Sequence, residues 1–154
     1  MSDHFGQRGG WWVAGQFVLM IAVAILGIVC GGESKPVLPF LGGLVFFAAS
    51  AICGIGGTIA LGRNLTPFPK PSVGAKLVQH GIYGLIRHPL YTAVIYAALG
   101  WSAIRSSWPA FAVSLALAVF FDAKARHEEV WLRRQFPDYT RYERRVRRFI
   151  PWIY

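Results

Sequence analysis

The chain has 154 residues, of which 55% are hydrophobic and only 15% charged, yet its net charge is +9. A positive mean hydropathy of this kind excludes an ordinary soluble domain. The basic excess lies beside long apolar runs, which points to membrane topology and anionic lipid rather than to nucleic acid.

Residues 1–10 form a short polar lead with one acid, Asp3, and one base, Arg8. Trp11–Cys30 follows as 20 residues without a charge, enough to cross a ~30 Å hydrocarbon core. It is longer than a signal-peptide core of about 7–15 residues, and no small-x-small cleavage pattern follows, so a retained span over 11–30 is expected. Gly31–Val37 is a short link carrying Glu33, Lys35 and Pro36. Leu38–Leu61 then runs for 24 uncharged residues, predicting a second span over 39–61. Gly27-x-x-x-Gly31, Ser50-x-x-x-Gly54 and Cys53-x-x-x-Gly57 are spacings that let helices approach closely, within the chain or between two copies. Gly54-Ile55-Gly56-Gly57 is expected to loosen the helix or to admit a ligand tail. Cys30 and Cys53 sit in apolar runs and behave as small hydrophobes, with no disulfide or metal pattern.

Residues 62–89 form a long connection with Pro67, Pro69 and Pro71 in alternation, which predicts extended backbone. It holds Arg63, Lys70, Lys76 and Arg87 and no acid. Loops of this length are uncommon unless functional, so it is expected to fold over a site. Two short apolar runs, 90–104 and 108–121, are joined by Arg105-Ser106-Ser107. Their lengths allow short spans or a re-entrant hairpin, and two spans extending out of the bilayer are favoured. Residues 122–135 should continue as an amphipathic helix. The tail to Tyr154 is basic and aromatic and suits an interface with anionic lipid.

Net charge is +4 for 62–90 and +4 for 122–154, against zero for 1–10 and 31–37. The positive-inside rule places the loop and the tail in the cytoplasm, on one side of the membrane, together with the N-terminus. The expected fold is all-α: one polytopic membrane domain over 1–154, with about four transmembrane helices and an interfacial C-terminal helix.

Three constellations carry chemistry. In Arg87-His88-Pro89-x-Tyr91, Pro89 suits a first helical turn. The free N–H groups of a helix start favour an anion, with Arg87 and His88 adding donors. Against this stands a plain helix start whose charges snorkel to headgroups. In Arg126-His127-Glu128-Glu129, two carboxylates meet the predicted membrane edge, either taking ligand groups or pairing with Arg133 on a solvated face. The aromatic stretches Phe136-Pro137-Asp138-Tyr139-x-x-Tyr142 and Arg148-Phe149-Ile150-Pro151-Trp152 read mostly as tail anchors. His4 and His127 lack metal-ligand partners at useful spacing. No phosphate loop and no Ser-His-Asp set is present.

Leu77-Val78-x-x-Gly81-x-Tyr83-x-x-x-Arg87-His88-Pro89-x-Tyr91, a hydrophobic hairpin, then Arg126-x-Glu128-Glu129-x-x-Leu132-x-x-x-Phe136-x-x-Tyr139-x-x-Tyr142 and Arg148-Phe149-Ile150-Pro151 together resemble the isoprenylcysteine carboxyl methyltransferase and phospholipid methyltransferase superfamily. The resemblance covers roughly residues 62–151. It implies a bacterial inner-membrane methyltransferase that uses S-adenosyl-L-methionine on a lipophilic acceptor entering from the bilayer. Cofactor contacts are implied for Leu77, Val78, His80, Gly81, Tyr83, Arg87, His88, Pro89, Tyr91, Glu128 and Glu129. Arg126 and Glu129 are implied nearest the acceptor, with Glu129 available as a base for an amine or thiol. Two other readings stay open: an NADPH-dependent membrane reductase and a non-catalytic membrane interaction protein.

Overall fold

A computed structural model describes residues 9–33, 36–66, 68 and 76–154. Asp3, His4, Arg8, Lys35, Pro67, Pro69, Lys70 and Pro71 lie outside the described residues. The elements are α1 (Gly10–Val29), α2 (Val37–Leu61), α3 (Pro89–Ile104), α4 (Trp108–Gln135) and α5 (Tyr139–Arg145), with 3-10 turns at Gly62–Asn64 and Gly81–Gly84. Among the described residues the only extended pairing is an isolated parallel bridge between Ile86 and Arg147.

Local chemistry explains the boundaries. Pro89 occupies the first turn of α3, as the sequence predicts, with His88 at the N-cap position. At α4 a serine and a proline cooperate: Ser107 accepts a hydrogen bond from the Ala110 backbone N–H, and Pro109 fills the first turn. Nothing between Phe121 and Gln135 breaks the helix, so the short apolar run and the amphipathic segment form one helix of 28 residues. At 1.5 Å per residue α4 is about 42 Å long and outreaches the hydrocarbon core. Glu128 lies about 30 Å along it from Trp108, one hydrocarbon thickness away. α1, α2 and α4 are each long and apolar enough to cross a membrane, and α3 is a shorter apolar helix.

The α3–α4 hairpin is central, with α2 packed along α3 and α1 along α4. Val23, Ile95, Ala98, Leu117 and Phe121 form the core where α1, α3 and α4 meet. The outer faces of α1 and α2 expose rows of Ile, Val, Leu and Phe, as lipid-facing helices do.

The small-residue rows are used inside the chain. A Cβ on Gly43 would come within 2.8 Å of the Gly100 carbonyl, and one on Gly57 within 2.9 Å of Leu90. Ser50 donates to the Ala93 carbonyl at 2.7 Å, and Trp101 packs onto Gly27. The glycines at 54–57 do not loosen α2, which is regular throughout. What approaches them is Ile82, Pro89 and Leu90, so the motif segment is held against α2. At the other end of the hairpin, Arg105 and Ser107 donate to the Gly27 and Leu26 carbonyls and so cap the C-terminus of α1.

Candidate functional site

The site forms where three segments converge: the approach to α3, the last turns of α4, and the tail. Backbone pairing brings them together. Arg87 and His88 N–H groups donate to the carbonyls of Arg147 and Arg148 at 2.8 and 3.1 Å. Tyr142, on α5, donates its hydroxyl to the Tyr83 carbonyl at 2.6 Å.

Glu129 is the hub of this junction and only 1% exposed. Its carboxylate accepts from Arg87 Nε and Nη2 at 3.1 and 2.8 Å and from Arg148 Nε and Nη2 at 3.1 and 2.8 Å. His88 Nε2 stands 3.2 Å away. Arg87 spends its remaining donor on the carbonyls of Glu143 and Val146. A buried carboxylate is tolerable only when its lone pairs are satisfied, and here they are. Hydrogen bonds to Glu129, ahead of other influences, push the Arg148 guanidinium above its ordinary value, so this cation does not titrate. Arg87 therefore clamps the fold instead of offering free donors at a helix start, as its sequence context had suggested.

Glu128 faces another way. Its Oε2 accepts from the Tyr91 hydroxyl at 2.6 Å and lies 3.9 Å from His88 Nδ1. The rings of His88 and Tyr91 stack at 5.2 Å and 7°, and Tyr91 stacks in turn on Phe121 at 4.8 Å. Beside Glu128 opens a cavity of about 120 Å³. A single water needs only about 10–15 Å³ of such space, so this is room for an organic ligand. Glu128, Lys76, Asn64 and Thr66 supply polar groups to the wall, and Leu61 and Leu90 supply aliphatic ones. Tyr83, Tyr91, Phe136, Tyr139 and Tyr142 make it aromatic.

Tyr139 is the informative wall residue. It is 1% exposed, and its hydroxyl has no hydrogen-bond partner among the described residues. Burial, and then the charge of Glu129, push that hydroxyl far above its ordinary value. The residue lines the cavity, but its hydroxyl is sealed within the wall on the side of the Glu129 cluster, where an unpartnered polar group carries a desolvation cost.

Of the residues singled out from sequence, Leu77, Val78, Tyr83, Arg87, His88, Tyr91 and Glu128 line the cavity. His80, Gly81, Pro89 and Glu129 do not line it; Glu129 stands behind the wall. Arg126 does not line it either. Its side chain is mostly exposed and bound to Asp122 at 2.6 Å and to the Tyr154 hydroxyl at 2.9 Å. Arg133 pairs chiefly with Glu143, at 2.8–3.1 Å, and reaches Glu129 only at 3.8 Å. Tyr139, Tyr142 and Phe136 were read from sequence as tail anchoring, yet with Leu132 they form one cavity wall. Their steps of three or four residues were the available signal, although the break at Pro137 divides them between α4 and α5.

A family model described as phospholipid methyltransferase matches residues 38–139. The chain belongs to the phospholipid methyltransferase family. The cobalt-zinc-cadmium resistance protein CzcN of Cupriavidus metallidurans is 40% identical over 76 residues, covering 49% of this chain and 35% of that protein. A probable protein-S-isoprenylcysteine O-methyltransferase of Oryza sativa subsp. indica is 34% identical over 80 residues, covering 51% of this chain and 42% of that protein. The structure of the eukaryotic intramembrane Ras methyltransferase ICMT superposes with a TM-score of 0.67 at 22% identity, over 99% of this chain and 54% of that one. At that identity the likeness is one of fold: an all-helical, polytopic integral membrane protein. The chain spans about half, or less, of the length of the proteins it matches.

Proposed function

We propose that the chain is an S-adenosyl-L-methionine-dependent membrane methyltransferase acting on a lipophilic acceptor, with an isoprenylcysteine-type carboxyl or a related group as the methyl-receiving site. The observation that carries the reading is the cavity. It combines an aromatic wall with one carboxylate, Glu128, at the end of α4. Family membership supports the reaction class.

The residues present fit the cofactor. The Glu128 carboxylate suits a cationic group, the Asn64 amide suits a polar edge, and Tyr83, Tyr91 and Phe136 suit a flat base. When bound, S-adenosyl-L-methionine would supply an electrophilic methyl carbon, open to in-line attack by a nucleophile with the neutral thioether as leaving group. The chain's part in this chemistry is alignment and exclusion of water. Tyr91 fixes the Glu128 carboxylate with a 2.6 Å hydrogen bond. The Glu129 cluster fixes His88 and the tail behind it. With its oxygens taken by two guanidiniums and an imidazole, Glu129 acts here as an orienting group and not as a proton acceptor. A carboxylate acceptor needs no base, and the basic surroundings of the cavity suit one. Arg126, held by Asp122 and Tyr154 outside the wall, is given no contact with the cofactor.

Leu61 and Leu90, at the ends of α2 and α3, give the cavity an aliphatic side. We assign the acceptor's entry there, and the polar side to the cytoplasm of a bacterial inner membrane, with both termini on that face. The exposed Trp152 and Ile153 beside the arginine-rich tail suit anionic lipid. The test is transfer of tritiated methyl from S-adenosyl-L-methionine into solvent-extractable lipid or prenylcysteine analogues by reconstituted protein. Label above a Glu128→Gln control supports the reading; equal label in both overturns it.

A further inference from the structure

Lys124 is 0% exposed, inside the helix bundle and about 24 Å along α4 from Trp108, less than one hydrocarbon thickness. An ionisable group so placed carries a large desolvation cost and calls for a function. Its Nζ donates to Gln16 Oε1 of α1. The same ammonium stands 5.0 Å from the Tyr91 ring centroid and 5.8 Å from that of Phe121. Lys124 lies one helical turn before Glu128, so the two share a face of α4 with Cβ atoms about 5–6 Å apart. Tyr91 fills the space between them, its ring near the lysine and its hydroxyl donating to Glu128 at 2.6 Å.

These contacts form a chain of polarisation. A cation near an aromatic ring draws on its electrons and is attracted to it. In a phenol that makes the hydroxyl a stronger donor, and here the donor's partner is the carboxylate that lines the cavity. The positive charge one turn away also balances the carboxylate in a setting where water cannot.

We propose that Lys124 is a positioning residue: its buried cation, acting through Tyr91, keeps the Glu128 carboxylate charged and turned into the cavity. The inference rests on the proposed S-adenosyl-L-methionine site and names the group that maintains it. Lys124 itself does not line the cavity.

The test is a double-mutant cycle on the full chain in detergent, with Lys124→Met, Glu128→Gln and the double variant. S-adenosylhomocysteine is the calorimetric probe, and melting temperature is a second readout. Methionine keeps the unbranched stem and removes the charge. Lys124→Met should weaken the probe about tenfold, and should weaken it no further in the Glu128→Gln background. It should lower the melting temperature alone, and the double variant should recover part of that loss, because replacing both members of a buried pair costs less than removing one. Losses that add in both readouts, or unchanged probe binding in Lys124→Met, overturn the proposal. If only the double variant accumulates as folded protein, the coupling is supported. If neither does, the lysine is merely structural and the proposal falls. Should the unmutated chain bind no probe, the functional reading fails while the melting cycle still decides the coupling.

Discussion

Arg87 and Glu129 meet across the junction of the α3 approach and α4, with guanidinium nitrogens 2.8 and 3.1 Å from one carboxylate oxygen. Their side chains are 9% and 1% exposed. Arg148 closes the other side of the same carboxylate, so one acid ties the motif segment, the helix and the tail together. Removing one partner of a buried pair strands the others. Glu129→Ala should therefore destabilise the protein by about 3–5 kcal/mol. An unfolding titration in mixed micelles measures this, and a loss under about 1 kcal/mol would mean the cluster behaves as a surface pair.

Glu128 and Arg126 should separate cleanly. Glu128 lines the cavity, whereas Arg126 is held outside it by Asp122 and Tyr154. Glu128→Gln is expected to weaken S-adenosylhomocysteine about ten- to hundredfold, the worth of a charge-assisted contact. Arg126→Ala should leave that affinity within about twofold, since exposed ion pairs position little. A larger loss at Arg126 would put it in contact with the ligand.

Tyr139→Phe should change stability without changing binding. The buried hydroxyl has no partner in the chain, so its removal is expected to raise the ligand-free melting temperature by a few degrees, from a desolvation cost of about 1–3 kcal/mol. Because the hydroxyl is sealed from the cavity, the same change should leave S-adenosylhomocysteine affinity within about twofold. A lower melting temperature would show that the hydroxyl supports the fold instead.

The α2–α3 contact gives a paired test of packing. A Cβ on Gly43 would meet Ile104 at 2.6 Å and the Gly100 carbonyl at 2.8 Å, while one on neighbouring Gly42 meets nothing within 4 Å. Gly43→Ala should cost about 1–3 kcal/mol through overpacking. Gly42→Ala should be neutral or slightly stabilising, because alanine gives up less backbone entropy in a helix. Thermal melts of the two variants in the same detergent compare them directly.

Much of this architecture was legible in the residues. Charge-free runs marked α1 and α2, and Pro89 marked a first helical turn within one residue of the 90–104 run that became α3. The absence of any breaker after Phe121 foretold that α4 continues past the apolar run. The adjacent pair Glu128-Glu129 was visible as a site candidate, but neighbours on a helix point about 100° apart. Which of them faces a cavity depends on the roll of α4, and that is fixed by Arg87 and Arg148 arriving from distant segments. Arg87 looked available for a ligand because sequence displays a charge and not its partners. Tyr139 was taken for an anchor because its role appears only once Tyr142 is bonded to the Tyr83 carbonyl. Lys124 gave no signal, since its burial comes from α1 and Tyr91, far away in sequence.

Titration of the detergent-purified chain with S-adenosylhomocysteine, beside Glu128→Gln, tests the central claim most directly. The account predicts saturable binding that the substitution weakens at least about tenfold, with the melting temperature of the unmutated chain raised by the ligand. Absence of binding to the unmutated chain in lipid nanodiscs as well as in detergent, or equal binding by the variant, would contradict it.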